Sequence, residues 1–150
     1  MASNSENVMI KGSCHCGFIK YTCSVRPEAL KKATRCNCTF CTKLSGANMH
    51  LTGPQDFQLL SPASQAECGD YSVHSNAHRY FCQKCGTQMW MEASYEMFGK
   101  QIEQFSINLH SVDQPQEGLD LSEVKFEYFD GLTNNFAAGL SDKPYKGGLV

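Results

Sequence analysis

The sequence has neither an excess of charge of one sign nor a long run of apolar residues. Its 150 residues include 13 Lys and Arg against 15 Asp and Glu, which gives a net charge of -2. A protein without a basic excess lacks the electrostatic footprint that nucleic-acid-binding proteins carry. No stretch comes near the roughly 20 apolar residues that a bilayer-spanning helix needs. We therefore expect neither a nucleic acid nor a membrane among the partners of this protein.

A secretory signal is also lacking at the start of the chain. Residues 1–10 are polar and have no apolar core of the kind that targets a protein for export. A cytoplasmic location is therefore expected, and that compartment keeps thiols reduced. The nine cysteines are then better explained as metal ligands or buried thiols than as disulfides. Their odd number and close spacing favour the same interpretation.

Short segments of β-branched and aromatic residues, separated by turn signals, make up most of the chain. They predict strands over residues 18–25, 48–52, 57–60, 77–81, 88–92, 101–109 and 124–129. Residues 28–32 are long enough for a turn of helix only. This spacing favours one mainly β domain of antiparallel sheets with little helix. Polar composition predicts a loose leader over residues 1–11, a loop over 61–70 and an irregular tail from residue 134.

Seven of the nine cysteines fall into three clusters. These are Cys14 with Cys16, then Cys36 with Cys38 and Cys41, then Cys82 with Cys85. A structural zinc takes four protein ligands, whereas a catalytic zinc keeps one position open. Seven thiols divide naturally into a closed set of four and an open set of three. Soft thiolates favour zinc over magnesium or calcium, so two zinc ions per chain are expected.

Two pairings of the clusters are compatible with this arithmetic. In the first, the outer clusters join into one site of four thiols and leave the central cluster as a triad. In the second, Cys82 and Cys85 close on two of the central cysteines. The first is preferable because the C-x-C-x-x-C spacing can hold one ion locally, without a distant ligand. A purely structural role for all seven thiols is the alternative to a reactive site.

The two remaining cysteines are expected to be structural. Cys23 lies on the apolar face of a predicted strand, where a free cysteine behaves as a small core residue. Cys68 has no close partner in the sequence, and only clustered cysteines match the spacing of metal ligands. Trp90 and Met91, which follow the third cluster, are also expected in the core.

Candidates for a role beyond metal binding lie close to the clusters. His50 and His78 fall on predicted strands, and either could act as a general acid or base because histidine titrates near neutral pH. A hydrogen-bonded or exposed structural histidine is the alternative for both. Phe40 and Lys43 lie beside the central cluster and are candidate substrate contacts; Lys43 could meet a substrate carboxylate. The other histidines carry no functional signal: His15, His74 and His110.

The cysteine clusters are parts of longer motifs. In chain order these read Gly12-x-Cys14-x-Cys16-Gly17-x-x-x-Tyr21, Cys36-x-Cys38-x-x-Cys41 and Phe81-Cys82-x-x-Cys85-Gly86-Thr87. Their spacing and order resemble the glutathione-dependent formaldehyde-activating enzyme family, which shares a domain with centromere protein V. The resemblance covers about residues 8–131, and Phe129-Asp130-Gly131 looks like the end of that domain. The chain 1–150 would then be a single domain with a flexible leader over 1–7 and an irregular tail over 132–150.

The resemblance implies a β-tent fold with zinc-ribbon-like knuckles. It also implies a structural zinc on Cys14, Cys16, Cys82 and Cys85, and a reactive zinc on Cys36, Cys38 and Cys41. The implied activity is that of a carbon–sulfur lyase or synthase. Its substrate would be an adduct of a glutathione-type thiol with a small carbonyl or related electrophile. Three thiolates suit thiol chemistry, because an incoming thiol bound to the metal loses its proton near neutral pH.

One departure from the family pattern bears on the substrate. Family members often have Ser and then a basic residue around the third central cysteine, as in C-x-C-S-x-C-R. Here those positions are Thr39 and Thr42, and Lys43 is the first basic residue. The metal ligands are intact, but a formaldehyde adduct does not follow as the substrate. The alternative function is a non-enzymatic zinc-binding module, as in centromere protein V or in exchange factors and chaperones, and an oligomer is compatible with either function.

Overall fold

The computed structural model describes residues 6–73 and 76–150. Strand accounts for 43% of the residues and exceeds every other regular structure, and this part includes one α-helix, so the prediction of a mainly β protein with little helix is confirmed. In chain order the elements are β1 (Val8–Ser13), β2 (Lys20–Val25), β3 (Lys32–Cys36), α1 (Thr39–Lys43), β4 (Asn48–Leu51), β5 (Phe57–Ser61), β6 (Gly69–Tyr71), β7 (Ala77–Phe81), β8 (Gln88–Met97), β9 (Lys100–Asn108) and β10 (Lys125–Phe129). Within the described residues no helix is both long and apolar enough to cross a membrane.

The strands form one small sheet and one large sheet. The small sheet has the order β1-β2-β5 and is antiparallel throughout. The large sheet has the order β10-β3-β4-β9-β8-β7-β6. Its pairs are antiparallel except β10 with β3, which is parallel, so the sheets are mainly antiparallel, as expected. The stretch between β9 and β10 is long enough for the crossover that a parallel pair requires.

An aromatic cluster joins the two sheets. Phe57, on β5 of the small sheet, has its ring centroid 4.8 Å from that of Trp90 on β8 and 5.2 Å from that of Phe105 on β9. Trp90 is buried, as expected. Cys23 lies in the same core with no exposed surface, so its predicted core position is confirmed. Cys68 is also buried in this core.

Three strands are missing from the sequence-based assignment. Val8–Ser13, which begins within the predicted loose leader, forms β1 and pairs with β2 along its whole length. Gly69–Tyr71, partly within a predicted loop, is an edge strand of the large sheet. Lys32–Cys36 is a strand of mostly polar residues in which only Ala33 is buried. None of the three has apolar residues in regular alternation with polar ones over its length, which explains why they were missed.

The C-terminal tail (residues 132–150) is irregular, as expected, but it is packed against the sheets. It holds one 3-10 turn, Phe136–Ala138. Ser141 forms two backbone hydrogen bonds with Tyr128 of β10, with N–O distances of 2.8 and 3.0 Å. The end of the chain is thereby held next to β3 and the loop that follows it. Of the predicted leader, residues 1–5 lie outside the described residues.

Candidate metal centres and an adjoining cavity

The outer two cysteine clusters meet at one point, which is the first of the two pairings considered. Their four sulfur atoms all lie within 4.8 Å of one another: Cys14, Cys16, Cys82 and Cys85. The first two cysteines lie in the turn between β1 and β2, and the other two lie in the turn between β7 and β8. Each turn ends in a glycine with a φ of +82°, Gly17 and Gly86, a conformation that side chains disfavour. The four-cysteine cluster therefore connects the small sheet to the large one.

Backbone amides point at the sulfurs of the four-cysteine cluster. The Ile19 amide donates to Cys14 Sγ at 3.2 Å, and the Lys84 amide donates to Cys82 Sγ at 3.4 Å. Such bonds stabilise the thiolate, which is the form that binds metal. Cys14 and Cys82 are buried, whereas Cys16 and Cys85 are exposed. Four thiols at mutual contact distance fit the tetrahedral donor set of a structural zinc.

The central cysteines form a second group, which we call the triad. Cys36 ends β3, Cys38 is the N-cap of α1, and Cys41 lies within that helix. The Cys38 sulfur accepts a hydrogen bond from the Cys41 amide at 3.3 Å, so one short turn of helix brings the sulfurs together. All three sulfurs lie within 4.8 Å of one another. No fourth Cys, His, Asp or Glu ligand joins them within residues 6–73 and 76–150.

The three thiols of the triad share protons. Hydrogen bonds from Cys36 and Cys41 lower the pKa of Cys38 to about 2. The same contacts with neighbouring sulfurs raise the pKa values of Cys36 and Cys41. The close sulfurs therefore favour one thiolate over three, and a bound cation would favour deprotonation of the other two. This donor set fits a soft metal ion such as zinc.

A positive charge of the protein already lies beside the triad. The Arg79 guanidinium donates to Cys41 Sγ at 3.4 Å and also lies 4.4 Å from the centroid of the Phe40 ring. The Phe40 ring stacks in turn on Tyr71, with centroids 5.5 Å apart. In the sheet, Arg79 is directly opposite Tyr71 on one side and Met91 on the other. Arg79 thus links the sulfurs to a row of side chains that crosses the sheet.

This row forms the floor of a cavity of about 780 Å³, which we call the aromatic cavity. The helix α1 contributes Phe40 and Lys43 to its walls, so both predicted substrate contacts face it. The lining residues are Thr39, Phe40, Lys43, Leu44, Tyr71, Val73, Ala77, His78, Arg79, Met91, Ala93, Tyr95 and Gln104. Met91 therefore lines the cavity rather than the core, in contrast to the expectation. Arg79, a cavity residue within hydrogen-bonding distance of Cys41, places the cavity next to the triad.

The two candidate histidines have different surroundings. His78 reaches the edge of the aromatic cavity, but its ring stacks on Tyr80, on the face of β7 opposite to Arg79, and its Nδ1 lies 2.9 Å from a carboxylate oxygen of Asp70. His50 instead bonds Thr34 Oγ1 through Nε2 at 2.8 Å and lines a separate depression of about 250 Å³. Burial lowers the pKa of His50. The geometry does not bring His50 to the aromatic cavity, and its catalytic role stays a prediction. His74 lies outside the described residues.

The far side of the triad is closed by residues that the sequence did not single out. Asn37 is buried between two cysteines of the triad; its amide donates to Asp130 Oδ1 at 2.8 Å and to the Lys146 carbonyl at 3.0 Å. Its carbonyl oxygen accepts from the Leu132 amide at 2.9 Å. A side chain at Gly131 would collide with Cys36 Sγ. The sequence predicts a turn at Asp130-Gly131. That prediction does not indicate that the turn lies against Cys36 and Asn37.

Arg79 and the aromatic residues opposite it were also missed. Arg79 alternates with the buried Tyr80 along β7, so in the sequence it is indistinguishable from a solvent-facing strand residue. Tyr71 and Val73 lie in or next to the edge strand that was predicted as loop or left unassigned. Their contribution depends on the pairing of β6 with β7, which single-sequence patterns do not specify.

Comparison with known proteins agrees with these motifs. A family model described as glutathione-dependent formaldehyde-activating enzyme matches residues 9–124. The match includes both cysteine groups and the residues that line the aromatic cavity. It ends before β10 and the C-terminal tail. A search of curated proteins finds no match for the chain.

Proposed function

Since the chain belongs to the glutathione-dependent formaldehyde-activating enzyme family, we propose that it makes or breaks the carbon–sulfur bond of a glutathione-type thiol adduct. The reaction class is that of a lyase or synthase acting on an adduct of a carbonyl or related electrophile. One observation carries the proposal most directly. The three sulfurs of the triad lie together without a fourth protein ligand among the described residues, and Arg79, which contacts Cys41, lines a cavity.

We propose zinc at both cysteine groups, two ions per chain. The four-cysteine cluster has the donor number of a closed structural site, and the triad has that of a site with one position left for a substrate. When bound to the triad, zinc would supply a Lewis acid that favours the thiolate form of a substrate thiol. Everything else in the proposed reaction is assigned to side chains of the protein.

Two cations are assigned to substrate binding. Lys43 and Arg79 both line the aromatic cavity, and no Asp or Glu is among its described lining residues. Glutathione carries two carboxylates, and basic side chains bind carboxylates through charge-assisted hydrogen bonds. Arg79 also stabilises negative charge on sulfur, as its contact with Cys41 illustrates. The stacked ring of Phe40 holds the guanidinium in place.

His78 and His50 are the two candidates for carrying the proton of the reaction, although the His78 ring stacks on Tyr80, on the face of β7 opposite to Arg79. When a thiol adds to an aldehyde, a C–S bond forms, the carbonyl π bond opens, and the proton of the thiol ends on the new hydroxyl oxygen. A neutral histidine can accept the first proton and deliver it, or an equivalent one, to that oxygen. Asp70 orients the His78 ring through the contact at Nδ1. His50 is the second candidate, at a position that does not line the cavity.

The proposed setting is the cytoplasm, where nine thiols stay reduced. The proposed partner is a small thiol adduct; neither a nucleic acid nor a membrane is required by the chemistry, and an oligomer is compatible with it.

The test combines metal content with the rate of adduct exchange. Bound metal is counted by elemental analysis, and the interconversion of free thiol and adduct is followed by NMR exchange spectroscopy against the spontaneous rate. Cys38→Ala is expected to lose one metal ion per chain, keep the other, and lose the rate acceleration. Cys23→Ala, which removes a core thiol outside both cysteine groups, is the matched control. It should keep both metal ions and the rate acceleration.

Two outcomes would overturn the proposal. One is full acceleration by Cys38→Ala with a single ion bound. The other is a wild-type protein that binds two ions tightly yet accelerates the exchange of no adduct, which would favour the non-enzymatic module.

A further inference from the structure

The volume of the aromatic cavity exceeds what a one-carbon electrophile needs. At about 780 Å³ it falls within the range of about 300–1,000 Å³ that is typical of pockets for drug-sized ligands. A formaldehyde adduct adds a single carbon and a hydroxyl to the thiol. If the cavity binds the electrophile as well as part of the thiol, its volume accommodates an electrophile larger than formaldehyde.

The lining of the cavity is mostly apolar. Three aromatic rings face it, from Phe40, Tyr71 and Tyr95. Tyr71 and Val73 are 48% and 58% exposed, although large apolar side chains gain by leaving water. Exposed apolar groups that cluster in a concave surface are typical of ligand-binding sites.

Charged and aromatic side chains meet at one end of the cavity, where Arg79 contacts Phe40 and lies opposite Tyr71, and the apolar lining continues along β8 from there. Arg79 marks the end next to the triad, and Met91 lies directly opposite it on β8. Along that strand Ala93 and Tyr95 also line the cavity. The four residue steps from Met91 to Tyr95 span about 13 Å along β8, so the apolar wall extends about that far from Arg79. This length accommodates an aromatic ring attached to the reacting carbon.

We propose that the electrophile of the natural substrate is an aromatic or similarly bulky apolar carbonyl compound, an inference that rests on the proposed function. Its thiol portion binds at the end with Lys43 and Arg79, and its apolar group lies between the Phe40–Tyr71 pair and the wall from Met91 to Tyr95. The reaction is the balanced addition described above: the thiol sulfur bonds to the carbonyl carbon, and the thiol proton ends on the oxygen.

The kinetic test compares two adducts that differ only in the apolar group. Phenylglyoxal and methylglyoxal present the same reacting aldehyde to glutathione, with a phenyl group in place of a methyl. We expect kcat/KM to be at least about tenfold higher for the phenylglyoxal adduct, because a hydrophobic pocket discriminates by such factors. Tyr95→Ala should reduce the ratio severalfold. Ala93→Leu, which fills part of the cavity, should reduce it as well. Phe98→Ala, at an exposed ring outside the cavity, is the matched control and should preserve the ratio.

A binding measurement supplies a readout that is independent of turnover. S-benzylglutathione and S-methylglutathione are stable thioethers that differ only in the presence of a phenyl ring. Calorimetry gives their dissociation constants for the metal-loaded protein. The benzyl compound should bind about tenfold more tightly, and Tyr95→Ala should remove most of that difference.

The outcomes separate this inference from the function on which it rests. Equal or faster turnover of the methylglyoxal or formaldehyde adduct, with equal binding of the two thioethers, overturns the inference and leaves the proposed function standing. If the protein accelerates the reaction of none of the three adducts (phenylglyoxal, methylglyoxal or formaldehyde), the proposed function is overturned. A preference for phenyl that survives in both cavity variants also overturns the inference, because it would place the apolar group elsewhere.

Discussion

At the scale of single residues, the surroundings of His50 influence its charge. Its ring is fixed to Thr34, and burial lowers its pKa. A histidine in that condition favours the neutral form and resists protonation. It is therefore linked to the stability of the fold whether or not it has a role in the reaction.

This linkage predicts a pH dependence of stability. The unfolded chain has a histidine of ordinary pKa, near 6.5, while the pKa of folded His50 is lower. As pH falls below about 6.5, the unfolded state takes up a proton that the folded state does not, so the free energy of unfolding decreases, by at most about 1.4 kcal/mol per pH unit. His50→Gln keeps a hydrogen-bonding group for Thr34 but does not titrate, and its stability should fall less steeply. Urea denaturation of both proteins between about pH 7 and pH 5 measures the difference; parallel curves would contradict the prediction.

At the scale of elements, the loop that carries the triad is held from behind. Asn37 makes three hydrogen bonds, to Asp130, Leu132 and Lys146, and these connect β3 and α1 to the turn after β10 and to the C-terminal tail. The family match ends at residue 124, so this support lies outside the matched part of the chain.

Removal of that support should weaken both the fold and the triad. Asn37→Ala is expected to lower the free energy of unfolding by about 2–4 kcal/mol, since it deletes three bonds and leaves buried groups unpaired. It should also release the metal of the triad at a lower chelator concentration than the wild-type protein does. Asn135→Ala is the matched control, because that exposed side chain makes no capping hydrogen bond. Wild-type stability and metal retention in Asn37→Ala would show that the tail gives no support.

Local sequence patterns explain which parts of the site were predictable. The cysteines within each cluster are two to five positions apart, so spacing alone predicted that they group together. Phe40 and Lys43 were found because they neighbour the triad in sequence. Arg79, Tyr71 and Asn37 owe their positions to sheet register and to contacts with distant segments. Those contacts leave no periodic signal, and the same holds for the parallel pairing of β10 with β3.

At the scale of the whole molecule, the two cysteine groups differ in the elements that they connect. The four-cysteine cluster joins the β1–β2 turn of the small sheet to the β7–β8 turn of the large one. The triad lies within the large sheet and its adjoining helix. A metal ion in the first holds two layers together, whereas an ion in the second closes one loop.

Mutations of the two groups should therefore differ in their effect on thermal stability. Cys82→Ala is expected to lower Tm by at least about 10 °C, because a structural metal contributes several kcal/mol and each kcal/mol shifts Tm by about 2–4 °C at this size. Cys38→Ala should lower Tm by only a few degrees. Differential scanning calorimetry with parallel metal analysis distinguishes the two. Equal losses of Tm would contradict the division of roles.

The path of the last residues has a practical consequence for anyone producing the protein. Leu149 lines a narrow gap of about 10 Å³ together with Cys36 and Cys41, and Val150 beside it is 87% exposed. An affinity label appended there emerges next to the sulfurs. A polyhistidine label at that end would bring imidazole nitrogens, which are metal ligands, next to the triad, where they would compete for any metal ion bound there.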